Sequence, residues 1–97
     1  MITRKSKNNQ PAEERATSPF EDEVVVTDLG IAAALVTANF ELVALDRENP
    51  RKVKFIFRRE TGIEKVVGDF WSDNLEQKSR SFWDNIKNLK NRLYSNE

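Results

Sequence analysis

The stretch Asp46 to Arg59, D-R-E-N-P-R-K-V-K-F-I-F-R-R, decides how this chain is read. Its second half is a strand candidate, Lys52 to Arg59, and an apolar segment of similar length, Phe40 to Leu45, precedes it. Polar turn formers lie between them, which is the pattern of a β-hairpin. A four-residue loop, Arg47-Glu48-Asn49-Pro50, is a common hairpin connection and sets Asp46 opposite Arg51. Proline donates no N–H and asparagine tolerates unusual backbone angles, so both suit the loop. Counting outward, Ala44 meets Val53, Leu42 meets Phe55, and Phe40 meets Phe57. Strand side chains alternate, so these six residues share one face, which this register predicts to be buried.

The same stretch carries six basic residues, Arg47, Arg51, Lys52, Lys54, Arg58 and Arg59, against Asp46 and Glu48. The whole chain has 16 Lys+Arg and 16 Asp+Glu and no net charge, so this excess is local. In the predicted register Lys52 and Lys54 stand on the outer face among Val43, Leu45 and Ile56, with Arg58 opposite Asn39. Two lysines spaced this way along a strand, roughly 6.5 to 7 Å apart, can hold a phosphate backbone. They are also what a solvated face looks like, with lysine stems over apolar area and ammonium groups in water.

Outward from the hairpin, Glu23 to Val26 is a short β-branched run and a candidate third strand. Thr27 and Asp28 supply N-cap chemistry for a helix with Leu29, Ala32, Ala33 and Val36 at helical spacing. Asn39 is a suitable stop, because asparagine accepts the left-handed conformation. After the hairpin, Glu60-Thr61-Gly62 opens a helix reaching about Ser72, with Ile63, Val66, Val67, Phe70 and Trp71 on one stripe. A polar linker, S-D-N-L-E-Q-K-S-R, follows. Ser81 and Asp84 resemble a capping box for a last helix with Phe82, Ile86, Leu89 and Leu93 on one face. The order β-α-β-β-α-α predicts an α+β fold, a small antiparallel sheet packed against about three helices.

At 97 residues the chain holds one domain. Residues 1–22 lack apolar periodicity and include two prolines, so they read as a disordered tail, and residues 23–97 as the folded unit. The tail begins basic and ends acidic, at Glu21 and Asp22, and Glu23 follows at once. That acidic end could lie over the basic hairpin as an autoinhibitory segment. No apolar core follows the early positive charges, as a secretory signal would require. No stretch is long and apolar enough to cross a bilayer. The expected location is the cytoplasm, without membrane contact.

The chain has no cysteine and no histidine, which excludes disulfides, Cys/His zinc sites and the commonest general base. Asp69 and Asp73, four apart on a helix, are a weak catalytic pair. Asp46 and Glu48 are too few oxygens, beside too many cations, for a hard metal ion. The glycines are scattered and form no phosphate-cradling loop. The expectation is therefore a non-enzymatic protein with no cofactor.

Two kinds of partner remain. The six basic residues supply the electrostatic term of nucleic-acid binding, through backbone contacts. Phe55 and Phe57 fall on the predicted buried face, which weakens any base-stacking role for the sheet. The last helix offers a second basic strip in Arg80, Lys87, Lys90 and Arg92, although cations there also offset the helix dipole. The alternative is a protein-interaction adaptor using Trp71, Trp83 and Tyr94 on a helical face. Core packing is the stronger expectation for those three, since aromatics dominate small cores.

From Val26 to Ser95 the chain resembles a family of short, functionally uncharacterised domains found in bacterial and phage-encoded proteins. The residues that carry the likeness are Thr27-Asp28-Leu29 with Ala32-Ala33, Asp46 to Phe57, Asp69-Phe70-Trp71, and Phe82 to Tyr94. Asn39 departs from the glycine expected there. The resemblance implies a compact domain common on mobile genetic elements, and it brings no catalytic residue or ligand.

Overall fold

A computed structural model of the chain describes residues 22–95. The expected disordered tail lies outside the described residues apart from Asp22, whose carbonyl accepts the Arg59 N–H at 2.7 Å. Of the acidic segment expected over the hairpin, Glu21 lies outside them and Glu23 is paired in the sheet with Arg58. The elements run β1 (Glu23–Val26), α1 (Leu29–Thr37), β2 (Leu42–Asp46), β3 (Lys54–Arg58), α2 (Ile63–Trp71) and α3 (Ser79–Tyr94). This is the anticipated β-α-β-β-α-α order and an α+β fold. The three strands form one antiparallel sheet in the order β1-β3-β2, so the central position belongs to β3.

The hairpin exists, but its register differs from the one predicted. Asp46 pairs with Lys54, Leu45 with Phe55, Ala44 with Ile56, and Leu42 with Phe57. The connection is therefore residues 47–53, longer than the four-residue loop, and both strands are displaced from their predicted ends. Between Leu42 and Ala44 the pairing is irregular, with Val43 as the extra residue of a β-bulge. A bulge lets two residues on one strand oppose one on the other and resets the alternation. Leu42 and Leu45, three apart, consequently both face inward, against Phe57 and Phe55. Ala44 is turned out and exposed, and Val53 sits half-buried in the loop. Those two predicted core positions are thus corrected, whereas Phe55 and Phe57 are buried and Phe40 and Leu42 pack against the core.

From β1, Val24 opposite Phe57 and Val26 opposite Phe55 complete the inner face. The outer face carries Val25, Ile56 and Ala44 across the three strands. Charged pairs flank them, Glu23 opposite Arg58 and Asp46 opposite Lys54.

Helix α1 lies in the middle of the fold. Ile31, Ala32, Ala33, Ala34 and Leu35 are buried in succession, which a helix apolar on all sides requires. Asp28 caps it, accepting a hydrogen bond from the Ile31 N–H at 3.0 Å. Small side chains let α2 and α3 approach it closely. A Cβ on Gly30 would stand 2.9 Å from Cζ of Phe70, so glycine is what lets the Phe70 ring seat against α1. At the other end, Asn39 takes φ 73°. Its N–H bonds the carbonyl of Val36, and the Phe40 N–H bonds that of Leu35. This is a Schellman cap, closing carbonyls the helix cannot satisfy itself.

Gly62, at φ 93°, starts α2 from the left-handed region where glycine is least strained. Helix α2 ends in a second Schellman cap, in which Asp73 N–H bonds Phe70 O and Asn74 N–H bonds Asp69 O. Helix α3 begins at Ser79, two residues before the expected Ser81 cap, and Lys78 precedes it without a side-chain capping bond. Its Leu89 is buried in the core, with Phe82, Ile86 and Leu93 around it. Asn85 of α3 donates to the Thr37 hydroxyl at 2.9 Å, and that hydroxyl donates to Ala33 O. Among the described residues no helix is long and apolar enough to cross a membrane.

Candidate functional site

The loop between β2 and β3 is organised by two short polar side chains. Asp46 Oδ1 accepts the Glu48 N–H at 3.0 Å, and Asn49 Oδ1 accepts the Arg51 N–H at 3.0 Å. Such local bonds to the backbone two residues on are what favours Asp and Asn in turns. The Lys52 N–H adds a bond to Asn49 O at 3.0 Å. With its carboxylate engaged in the turn, Asp46 forms no ion pair with Lys54, its cross-strand neighbour.

The six cations separate into two groups. Arg47 reaches the end of α3, where its Nη1 donates to Ser95 O at 3.0 Å and to Leu93 O at 3.4 Å, and its Nη2 donates to Arg92 O. The last carbonyls of a helix lack intrahelical partners and carry partial negative charge, so a guanidinium is well matched there. Arg47 therefore ties the loop to α3 and is not presented to a ligand. Arg58 Nε donates to Glu41 Oε1 at 3.0 Å. That hydrogen bond, and then the carboxylate's charge, hold its guanidinium above the ordinary arginine range. Arg59 is paired with Glu64.

Arg51, Lys52 and Lys54 are exposed, and among the described residues their side chains have no hydrogen-bond or ion-pair partner. The unpaired carboxylate of Glu48 accompanies them, leaving the loop net positive. The Arg47 clamp places this loop at the C-terminal end of α3, whose Arg92 side chain is also unpartnered. On the same helix, Arg80 and Lys87 flank Asp84 at 3.6 and 3.7 Å, so the second basic strip is partly neutralised.

Phe55 and Phe57 are enclosed in the core and offer no stacking surface. The aromatics expected in the core are instead outside: Trp71 is 67% exposed, Trp83 56% and Tyr94 79%. Each lies beside a partly buried residue that packs against the core, Phe70, Phe82 and Leu93 respectively. A one-residue step along a helix turns a side chain by about 100°, enough to carry these three out of the packed stripe.

Asp69 and Asp73 do not form a carboxylate pair within α2. Asp69 Oδ2 accepts from Lys65 Nζ at 2.8 Å, and Asp73 lies past the helix end at φ 64°. A cavity of about 480 Å³ opens beside Asp73, lined also by Phe70, Leu75, Gln77, Ser79 and Phe82. Sequence reading missed this cleft, because it assembles from the end of α2, the linker and the start of α3. Leu75, the lone apolar residue of the linker, was the one signal of it.

No curated protein is matched by this chain. No solved structure is matched either. The family described as Domain of unknown function (DUF5659) matches residues 21–95, which span both hairpin and cleft, and the chain belongs to that family.

Proposed function

We propose that this chain is a small non-enzymatic accessory protein that binds nucleic acid through its phosphate backbone, using the β2–β3 loop and the start of β3. The observation that carries the reading is the set of three neighbouring cations, Arg51, Lys52 and Lys54, exposed and unpartnered among the described residues. The loop is ordered by its own Asx bonds and by the Arg47 clamp. Less conformational entropy is then lost when the cations engage a polyanion. The burial of Phe55 and Phe57 favours contact with phosphates over stacking on bases. A setting on a phage or other mobile element belongs to the same proposal and rests on the resemblance read in the sequence.

A site of three cations binds weakly and responds to salt. Each phosphate neutralised on duplex DNA contributes about −0.9 to the slope of log K against log salt. Three contacts give a slope of about −2.7 on the same basis. Fluorescence anisotropy of short single- and double-stranded oligonucleotides, titrated with the protein across a salt series starting low, measures this. The Lys52→Ala/Lys54→Ala variant is expected to bind more weakly with a flatter slope. Absence of binding at the lowest salt, or an unchanged slope in that variant, rejects the reading.

A further inference from the structure

The cleft at the α2–α3 junction has a chemistry unlike that of the hairpin. Its apolar walls are Phe70, Leu75 and Phe82, and its polar lining is Asp73, Gln77 and Ser79. A volume of about 480 Å³ is in the range of ligand-binding clefts. Two walls are held in place by the fold. Phe70 occupies the space that Gly30 leaves on α1, and Gln77 Nε2 donates to Ala34 O at 2.9 Å.

Asp73 is the charged residue of the lining, and its carboxylate has no partner among the described residues. Its backbone is left-handed, at φ 64°, a conformation that glycine adopts at no steric cost. The equivalent position after α1 is Asn39. The Schellman bonds after α2 are made by the backbones of Asp73 and Asn74, so the cap does not need the carboxylate. The cap therefore leaves the carboxylate free at the mouth of an apolar cleft, where it can pair with a cation.

Trp71 adds to this. Its ring meets that of Phe70 in a T-shaped contact, with centroids 6.0 Å apart, and is largely open to solvent. Trp83, the other exposed tryptophan, already has Lys87 Nζ at 5.9 Å from its ring centroid. Trp71 has no such cation among the described residues, although indole faces attract Lys and Arg. All six lining residues are half-buried or exposed, so the cleft lies at the surface and a chain can pass over it.

We propose that this cleft binds a partner polypeptide through a large apolar side chain seated against Phe70, Leu75 and Phe82 and an adjacent Arg or Lys paired with Asp73. This is a protein-docking site separate from the cationic loop, and it stands whether or not the loop binds nucleic acid.

The test uses the full chain with the blocked dipeptide acetyl-Phe-Arg-amide as probe, followed by 1H–15N NMR and tryptophan fluorescence. Acetyl-Phe-Glu-amide and phenethylamine are the comparison ligands. The Phe-Arg probe is expected to shift the amides of Asp73, Leu75 and Ser79 saturably and to perturb tryptophan emission, with the Phe-Glu probe at least about tenfold weaker. Asp73→Gly is expected to lose about tenfold in affinity while melting at the same or a higher temperature. Asp73→Asn, which keeps the shape without the charge, is expected to match that loss. Equal affinity of wild type and both variants, or shifts confined elsewhere, overturns the proposal. Phenethylamine binding as tightly as the dipeptide identifies a small-amine site and overturns the polypeptide occupant.

Discussion

Two connections of equal length, residues 47–53 between the hairpin strands and residues 72–78 between α2 and α3, behave in instructively different ways. Both are fastened to a helix by one long side chain, Arg47 to the end of α3 and Gln77 to Ala34 of α1. In the first, the fastening uses up a cation and leaves Arg51 and Lys52 free, with Lys54 just beyond. In the second, the fastening is neutral, and the carboxylate of Asp73 is left over beside apolar walls. The fold thus exposes a positive rim at one connection and a negative, apolar cleft at the other. Net charge, which is zero, conceals both.

The largest expected effect comes from the scaffold the two connections share. Phe57→Ala empties a fully buried site on the central strand and should cost about 3–5 kcal/mol, measured by urea unfolding. A loss of that size is a large fraction of a small domain's stability and should weaken the function of both connections together. Survival of either would show that it does not depend on this core.

Arg47→Ala should cost about 1.5–3 kcal/mol through lost bonds to helix carbonyls. Faster amide exchange should appear at the end of α3 and in the loop, with little change at Asp73. Gln77→Ala should cost about 1 kcal/mol, with chemical-shift changes around the cleft and none in the loop. These two variants separate the connections. Disturbance of both by either variant would mean that they are mechanically coupled.

The smallest effect is expected from Glu41→Gln. The Arg58–Glu41 pair is exposed, and such pairs add little to stability. Releasing Arg58 adds a fourth cation on the side of the sheet that bears Lys54, so the salt slope should steepen by no more than about 0.9. An unchanged slope would confine the nucleic-acid contact to the three unpartnered residues.

How much of this was readable beforehand follows from the range over which each property is determined. Element order was readable because it rests on local signals: β-branched Val24 to Val26, the Asp28 cap, the Asn39 stop and the stripe from Ile63 to Phe70. The hairpin register was not, because the loop is longer than a tight turn and Val43 bulges. With Leu42, Val43, Ala44 and Leu45 all apolar, regular alternation matched the residues as well as the bulged pairing does.

The cationic cluster was visible as composition, but its division was not. Arg47 finds its acceptors at Arg92, Leu93 and Ser95, and Arg58 finds Glu41 across the sheet. Those partners become neighbours only once the chain is folded. The exposure of Trp71, Trp83 and Tyr94 depends on which turn of each helix meets α1, and a count of aromatics carries no such information.

The most direct test of the account sets Arg47 against Arg51, two arginines four positions apart in one loop. Each is replaced by alanine, and both variants are measured for melting temperature and for the salt slope of oligonucleotide binding. The account predicts that Arg51→Ala flattens the slope by about 0.9 at unchanged melting temperature. It predicts that Arg47→Ala lowers the melting temperature and, below that temperature, leaves the slope as in wild type. A flatter slope for Arg47→Ala with none for Arg51→Ala would contradict the assignment of free and committed cations on which the proposed function rests.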